Sequence, residues 1–565
     1  MSQETRVRGA ATPDSPENAR DAGFGAVARE TPPGAAGGGG RAPGDFGGGR
    51  LGLREAVALM NELGDSLSSC MRCGFCQEVC PVYGQSFREA DLARGKLALL
   101  QDLGRELTSD AAAVDDRLNR CLLCGSCESV CPPGVGITEV FLRARAALTA
   151  YLGLGPAKRA IFRLVLPRPR LFSLLARLGA AFQGLFLKPE SKMLGTYSMP
   201  LLEPLAGPRH VPGLPAKGFT ASRGRILEPA GKSGLKALYF PGCVPDRLFP
   251  GVSEAALKVL KRHGVGVVMP QGLACCGIPA AASGDRKGFI GLLGHNLERL
   301  ALDFDFLVTA CATCASTIRE TWPRFKAPFS GNKLELVERL SSRTYDLSSF
   351  LVNVVKADFP DRQGAAAGAA ASAGGPSGPA GGRGGFSAAE DPASAYSPPS
   401  VSEAAGSVAE GSSVEGAGRG ANGFPLAGDG GSPARARPRR VTYHDPCHLR
   451  RAMKVIEEPR KILKSLPGWE YVEMPEAGRC CGSGGSFSVL HPDLSEGIGM
   501  RKRGNIASVS PDVVATSCPA CMIQLTDMLS RRGDGVAVKH FVELYAESLD
   551  EQGDGEGLGG GPARP

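Results

Sequence analysis

Several classes of function are excluded by what this 565-residue chain does not contain. No stretch of eighteen apolar residues occurs, so no membrane-spanning helix is expected. The amino terminus has no charged start leading into an apolar run, so no secretory leader is expected and the expected location is the cytoplasm. No G-x-G-x-x-G follows a run of strand character, which removes the dinucleotide-binding fingerprint. EPAGKSG around Lys232 falls short of a phosphate loop, because Ile226 stands where the first glycine is required. Neither HExxH nor a nucleophile elbow is present. The formal charge of +8 comes with no basic stripe interleaved with aromatics, so no nucleic-acid partner is expected.

What is abundant is glycine (77), proline (43) and patterned cysteine (18). Glycine and proline gather in stretches without apolar periodicity, which cannot bury enough surface to offset their ordering entropy. Disorder is therefore expected for an N-terminal extension, 1–50, a low-complexity insertion, 356–437, and a tail, 549–565. The remaining segments are 51–155, 156–234, 235–355 and 438–548.

All 18 cysteines fall in patterned groups. A reducing cytoplasm disfavours a disulfide framework, which leaves metal or redox chemistry. Two runs, Cys70-Met-Arg-Cys73-Gly-Phe-Cys76-Gln-Glu-Val-Cys80-Pro81 and Cys121-Leu-Leu-Cys124-Gly-Ser-Cys127-Glu-Ser-Val-Cys131-Pro132, both read C-x2-C-x2-C-x3-C-P. In this bacterial ferredoxin pattern three thiolates wrap one cubane and the fourth reaches the other. One 4Fe–4S cluster is thus assigned to Cys70, Cys73, Cys76 and Cys131, the second to Cys121, Cys124, Cys127 and Cys80. Zinc sites use two C-x2-C pairs and fit eight cysteines in two such runs poorly. Between the runs, Leu92, Leu97, Leu99, Leu100 and Leu103 recur at helical spacing, so helices are expected there. Arg72, Arg94, Lys96 and Arg120 either offset cluster charge or decorate solvated helix faces.

The other ten cysteines form a repeat. Cys243, the doublet Cys275-Cys276-Gly277 and the pair Cys311-x-x-Cys314 are answered by Cys447, Cys480-Cys481-Gly482 and Cys518-x-x-Cys521. Flanking sequences match as well, KALYFPGC with RVTYHDPC and FDFLVTACATC with PDVVATSCPAC. Short β-rich runs alternating with helical segments imply two α/β domains with largely parallel sheets, and sites in such sheets form at the carboxyl ends of strands. Each copy thereby gathers five thiols at one sheet edge. His444 and His448, flanking Cys447, are read as structural residues or hydrogen-bond donors.

These motifs resemble the iron–sulfur subunits of glycolate oxidase and respiratory lactate dehydrogenases. They are also similar to the cysteine-rich subunits of heterodisulfide reductase and anaerobic glycerol-3-phosphate dehydrogenase. The resemblance covers residues 51–355 and 438–545. It implies an α-helical ferredoxin-like domain followed by two CCG (cysteine-rich) domains. It implies further iron–sulfur clusters on Cys243, Cys275, Cys276, Cys311 and Cys314 and on Cys447, Cys480, Cys481, Cys518 and Cys521. Zinc, a 2Fe–2S site or redox-active free thiols are the alternatives for those ten. The resemblance also implies that this chain relays electrons from an FAD-containing partner, which oxidises a 2-hydroxy acid, toward quinone or another membrane redox partner. The alternatives are a disulfide reductase of the heterodisulfide type and the iron–sulfur subunit of glycerol-3-phosphate dehydrogenase. No catalytic residue is assigned to this chain.

One segment stands outside these motifs. Lys158 to Lys188 carries seven positive residues, no acid and many Leu and Phe, and Pro167 and Pro169 divide it into two helices. It could lie peripherally on an anionic membrane, dock a partner subunit, or pack between the halves of the chain. The Pro-rich PLLEPLAGPRHVPGLPAKGF that follows is expected to be an extended strap.

Overall fold

A computed structural model describes residues 63–191, 194–200, 208–363 and 438–555, with Gly52, Glu55 and Ala58 ahead of them. The N-terminal extension 1–50, most of the insertion and the end of the tail lie outside the described residues. The last helix, Phe541–Gly555, continues into the stretch assigned to the tail, and Phe359, in the stretch assigned to the insertion, is buried in the core.

Among the described residues up to 155 there are helices and no strand. Helix α1 (Ala93–Gly104) turns Leu97, Leu100 and Leu103 inward at i, i+3 spacing, while Leu99 is only partly buried. Asp110 caps α2 (Ala111–Asn119) by accepting from the Ala113 N–H at 2.9 Å, satisfying one of the orphan donors of the first turn. Helix α3 (Ile137–Leu152) closes this small core with Val140, Phe141, Ala144, Ala147 and Leu148. It also abuts the next domain: Arg145 donates to the Ala282 carbonyl at 2.7 Å and Thr149 to that of Ser283 at 3.2 Å.

The link holds two helical segments on either side of Pro167, the second being α4 (Pro169–Phe186). Beyond it lies a small antiparallel sheet, β1 (Lys188–Ser191), β2 (Thr196–Ser198) and β3 (His210–Pro212), of which β3 falls within the expected strap; 201–207 of that strap lie outside the described residues. Pro189 and Pro212 are tolerated because β1 and β3 are the edge strands. Asp527 accepts from the His210 N–H at 2.8 Å, which pins β3 to the C-terminal domain.

Two sheets follow. The first contains β4 (Ile226–Glu228), β5 (Lys236–Tyr239), β6 (Gly266–Met269), β7 (Phe306–Thr309) and β8 (Thr344–Asp346), in the order β4-β6-β5-β7-β8 with only β4 antiparallel. The second contains β9 (Arg439–His444), β10 (Trp469–Tyr471), β11 (Val513–Thr516) and β12 (Ala537–His540), all parallel in the order β10-β9-β11-β12. Without β4 the two orders are the same, so the cysteine repeat is a structural repeat. Central strands such as GVVM and VVAT are buried at every position, as parallel strands covered on both faces must be. The halves interlock: α5 (Pro250–Arg262) of the first packs on α6 (Phe541–Gly555), where Lys258 donates to the Ala546 carbonyl at 2.8 Å.

Candidate redox centre

The two ferredoxin runs fold alike. In each, the residue before the second cysteine takes a left-handed conformation (Arg72, φ 56°; Leu123, φ 51°), and so does the glycine after it (Gly74, φ 92°; Gly125, φ 72°). Two successive left-handed kinks curl each loop around a point before a short helix begins at Phe75 or Ser126. Cys70, Cys73, Cys76 and Cys131 line one cavity, and Cys80, Cys121, Cys124 and Cys127 line another, with Cys127 on the wall of both. Four thiols converging on one small cavity are a donor set suited to a thiolate-held cluster. Leu123 N–H points at Cys121 Sγ (3.4 Å), Tyr83 N–H at Cys80 Sγ (3.5 Å), and the Ser126 hydroxyl lies 3.3 Å from Cys124 Sγ. Burial pushes the Cys80 thiol up to about 11, and it raises Cys127 strongly as well. Thiolates at these positions therefore need a compensating charge such as a metal.

The four basic residues divide. Arg72 is exposed and reaches only Gln101, and Arg120 pairs with Asp116 at 3.2 Å on a helix face. Arg94 pairs with Glu89 at 2.6 Å beside Cys76, whose thiol its charge draws downward against burial. Lys96 is 1% exposed, and burial lowers its pKa against the pull of Cys121 and Cys80. Arg145, which no sequence pattern marked, is also buried and donates to the Cys121 carbonyl at 2.7 Å.

All ten remaining cysteines lie beyond the carboxyl ends of parallel strands: β5 leads to Cys243, β6 to Cys275 and Cys276, and β7 to Cys311; β9, β10 and β11 do the same for Cys447, for Cys480 and Cys481, and for Cys518. Cys311 and Cys518 are both extended residues capping the following helix (φ −145° and −137°), and Cys314 and Cys521 sit in its first turn. In the first set Cys243 Sγ lies 3.4 Å from Cys275 Sγ, and Cys276 is in hydrogen-bonding contact with Cys275 and Cys314. In the second, Cys481 contacts Cys480 and Cys521 in the same way. Hydrogen bonds from these neighbours pull Cys276 and Cys481 below the ordinary thiol range, against the opposing effect of burial.

The four sets follow one another as neighbours. Cys127 is shared by the first two cavities. Cys124 and Cys480 belong to one buried cluster, with Cys447 packed against it. Cys311 and Cys518 perturb each other's thiols across the seam where the Ala312 N–H donates to the Ser517 carbonyl at 3.0 Å, so the two five-thiol sets are neighbours. Thr313 joins that junction, its hydroxyl 3.3 Å from Cys518 Sγ and 3.2 Å from His448 Nδ1. A cavity of about 390 Å³ opens beside it, with Cys124, Cys447, His448, Arg451 and Lys454 on its wall.

His444 differs from His448. It is fully buried, and one ring nitrogen lies within 4.8 Å of both Cys481 Sγ and Cys521 Sγ. Neither ring nitrogen makes a well-formed hydrogen bond among the described residues. Burial drives its pKa down to about 3, so the ring is neutral and carries one N–H. Phe240 occupies the matching place after β5. Lys502, also unmarked by sequence, is buried beneath the second set, where Cys481 and Cys480 draw its pKa back up against burial; it remains lowered to about 8. The turn ahead of Cys447 is held by Asp445, 1% exposed, which accepts from Arg450 and Arg460 at 2.7 Å each.

Comparison with known proteins agrees with this architecture. Residues 66–135 match the 4Fe-4S dicluster domain, and residues 237–319 and 441–526 both match the cysteine-rich domain CCG. The chain is similar to a subunit of the CoM/CoB fumarate reductase of Methanothermobacter marburgensis, 27% identical over 85% of this chain and 71% of the relative. It is similar to a probable glycolate oxidase iron-sulfur subunit of Bacillus subtilis, 26% identical over 88% and 98%. Lactate utilization protein A of Shouchella clausii is 25% identical over 54% of this chain and 96% of the relative.

Proposed function

We propose, because the chain belongs to the iron–sulfur proteins that join a 4Fe-4S dicluster domain to CCG domains, that it is the electron-transfer subunit of a flavin-dependent 2-hydroxy-acid dehydrogenase. The substrate would be glycolate or lactate. The observation that carries the relay is the succession of four neighbouring thiol sets, with Cys127 on the wall of the first two cavities and Cys124 clustered with Cys480. FAD would reside in a partner subunit and the acceptor would be quinone or another membrane redox partner. Relatives named for glycolate oxidase and lactate utilization favour this substrate class.

Cys70, Cys73, Cys76 and Cys131 would hold one 4Fe–4S cluster and Cys80, Cys121, Cys124 and Cys127 the other. The CCG sets, Cys243, Cys275, Cys276, Cys311 and Cys314, and Cys447, Cys480, Cys481, Cys518 and Cys521, would hold further iron–sulfur clusters. Such clusters, when bound, would supply one-electron transfer. The chain's own residues set the conditions. Backbone N–H groups at Leu123 and Tyr83 point at sulfur and stabilise added negative charge. Lys96 places buried positive charge beside Cys80 and Cys121, and Arg145 places it where the dicluster core meets the first CCG domain. Val82, Leu122, Phe487 and Ile498 pack around Cys480 where the dicluster domain meets the second CCG domain.

A second reading has one observation in its favour. The two five-thiol sets are neighbours at Cys311 and Cys518, an arrangement suited to splitting a disulfide by successive one-electron steps. It predicts that the isolated chain reduces disulfides from an artificial donor.

The test is anaerobic purification with native partners, followed by separate addition of glycolate, D-lactate and L-lactate. Bleaching of the cluster absorbance by one acid is expected. Clusters that dithionite reduces but no acid bleaches, with flavin present, would refute the dehydrogenase reading. Iron content tests the CCG assignment: fully loaded protein should exceed the roughly eight atoms of two cubanes.

A further inference from the structure

Helix α4 is amphipathic in the inverted sense. Leu174, Leu178, Leu185 and Phe182 share one stripe at i, i+4, i+8 and i+11 spacing, with Leu175 and Phe186 beside it, and all six are exposed, Leu185 by 77%. The small and polar face turns inward instead. Gly179 packs against Leu214, and the Gln183 amide bonds both the N–H and the carbonyl of Leu214, at 2.9 and 3.2 Å. No residue of α4 is buried. An apolar stripe on an 18-residue helix, about 27 Å long, is a costly surface to leave in water.

Charge indicates what covers it. From Lys158 to Lys188 there are seven basic residues and no acid. Arg163 is spent on Asp285, at 2.7 Å. Arg170 and Arg177, however, lie in one row along the margin of the stripe and have no hydrogen-bond or ion-pair partner among the described residues. No helix among the described residues is long and apolar enough to cross a membrane, so such a helix would lie in the surface plane.

The first turn of α4 sits over one end of the thiol chain. Pro169 and Phe172 share a small cavity with Cys243 and Cys275, and Arg247 ties the two together, its guanidinium stacked 5.3 Å over Phe172 and donating to the Pro169 carbonyl at 3.4 Å.

We propose that α4 lies in the surface of an anionic bilayer, with Leu174, Leu178, Phe182 and Leu185 in the acyl boundary and Arg170 and Arg177 at the phosphates, so that the Cys243 end of the thiol chain faces the membrane. This goes beyond the dehydrogenase reading and stands whether or not that reading survives.

The experiment is co-sedimentation of the full chain, purified anaerobically with its metal, with two vesicle types: phosphatidylcholine alone, and phosphatidylcholine with about one third phosphatidylglycerol. Binding to the anionic vesicles is expected, weakened about tenfold or more on neutral vesicles or at high salt. The double variant Leu178→Asp/Phe182→Asp should lose binding by about tenfold or more at unchanged visible absorbance, since neither side chain supports the core. A separate variant, Arg170→Gln/Arg177→Gln, should lose only the preference for anionic lipid. Failure of the wild-type chain to bind either vesicle overturns the proposal. So does equal binding by the acidic double variant. A wild-type chain that binds no vesicle but dimerises, or holds its flavoprotein, through a surface the acidic variant abolishes would show that a protein covers the helix instead.

Discussion

Gly242 offers a direct way to disturb one thiol set and leave the other three alone. It precedes Cys243 with φ 78° and ψ 163°, a region essentially reserved for glycine. A Cβ built there would stand 2.8 Å from Cys314 Sγ. Ordinary non-bonded contacts of this kind lie at about 3.5–4.0 Å, so the sulfur must retreat by roughly 0.7–1.2 Å. Metal–ligand distances tolerate about 0.2 Å, so the displacement exceeds what a bound cluster can absorb. Gly242→Ala should cost about 1–3 kcal/mol in backbone strain and lose the metal of the first CCG set. Gly234→Ala is the matched control: it has φ 68° in the same domain but nothing within 4 Å of the new Cβ. Iron per chain and low-temperature EPR of the reduced protein are the assays. The expected result is less iron in Gly242→Ala with both cubane signals intact, and a full complement in Gly234→Ala. Full iron and an unchanged spectrum in Gly242→Ala, or equal loss in both variants, would refute the reasoning.

Other substitutions probe the second set and its support. His444→Phe copies the Phe240 of the first CCG domain and removes an N–H beside Cys481 and Cys521; the potential of the second set should fall by about 60 mV, a tenfold change for one electron, in an EPR redox titration. Lys502→Met should move it the same way, because a buried cation stabilises the reduced state. Arg460→Met leaves buried Asp445 with Arg450 alone and should cost about 2–4 kcal/mol in denaturant titration. Glu476 is held down to about 2 by Arg501, Asn505 and Arg479, against the opposing effect of burial. Because its folded pKa is depressed, the stabilisation is present above the unfolded value and fades as pH falls from about 5 toward 2. Glu476→Gln should therefore be less stable by about 1 kcal/mol at pH 7, allowing for partial exposure, and should converge with wild type in acid.

How far the sequence could be read depended on whether the signal was local. The cysteine runs and their alternation with β-rich segments are local, so the helical dicluster domain and the repeated α/β domains were legible. That β3, inside the Pro-rich strap, pairs with β2 and is pinned to the C-terminal domain was not legible, because strands this short gain their identity from pairing and not from propensity. Lys96 was ambiguous because a lysine between leucines fits either helix face. Arg145 and Lys502 carried no signal, since what distinguishes them is burial beside thiols distant in the chain. The proximity of Cys124 to Cys480 and of Cys311 to Cys518 is likewise a tertiary fact.

The stretch 364–437 departs and returns at neighbouring points. Gln363 donates to the Trp469 carbonyl, and Trp469 is paired in the sheet with Arg439. Continuity of the polypeptide is thus of little consequence for the architecture there. The Lys258–Ala546 bond, the Asn353–Glu458 bond and the Ala312–Ser517 backbone bond would still fasten the halves if the chain were severed between them. Residues 1–363 and 438–565, expressed separately and then mixed anaerobically, should reassemble, which turns a single-chain protein into a tool for labelling one half with iron-57 and leaving the other half unlabelled.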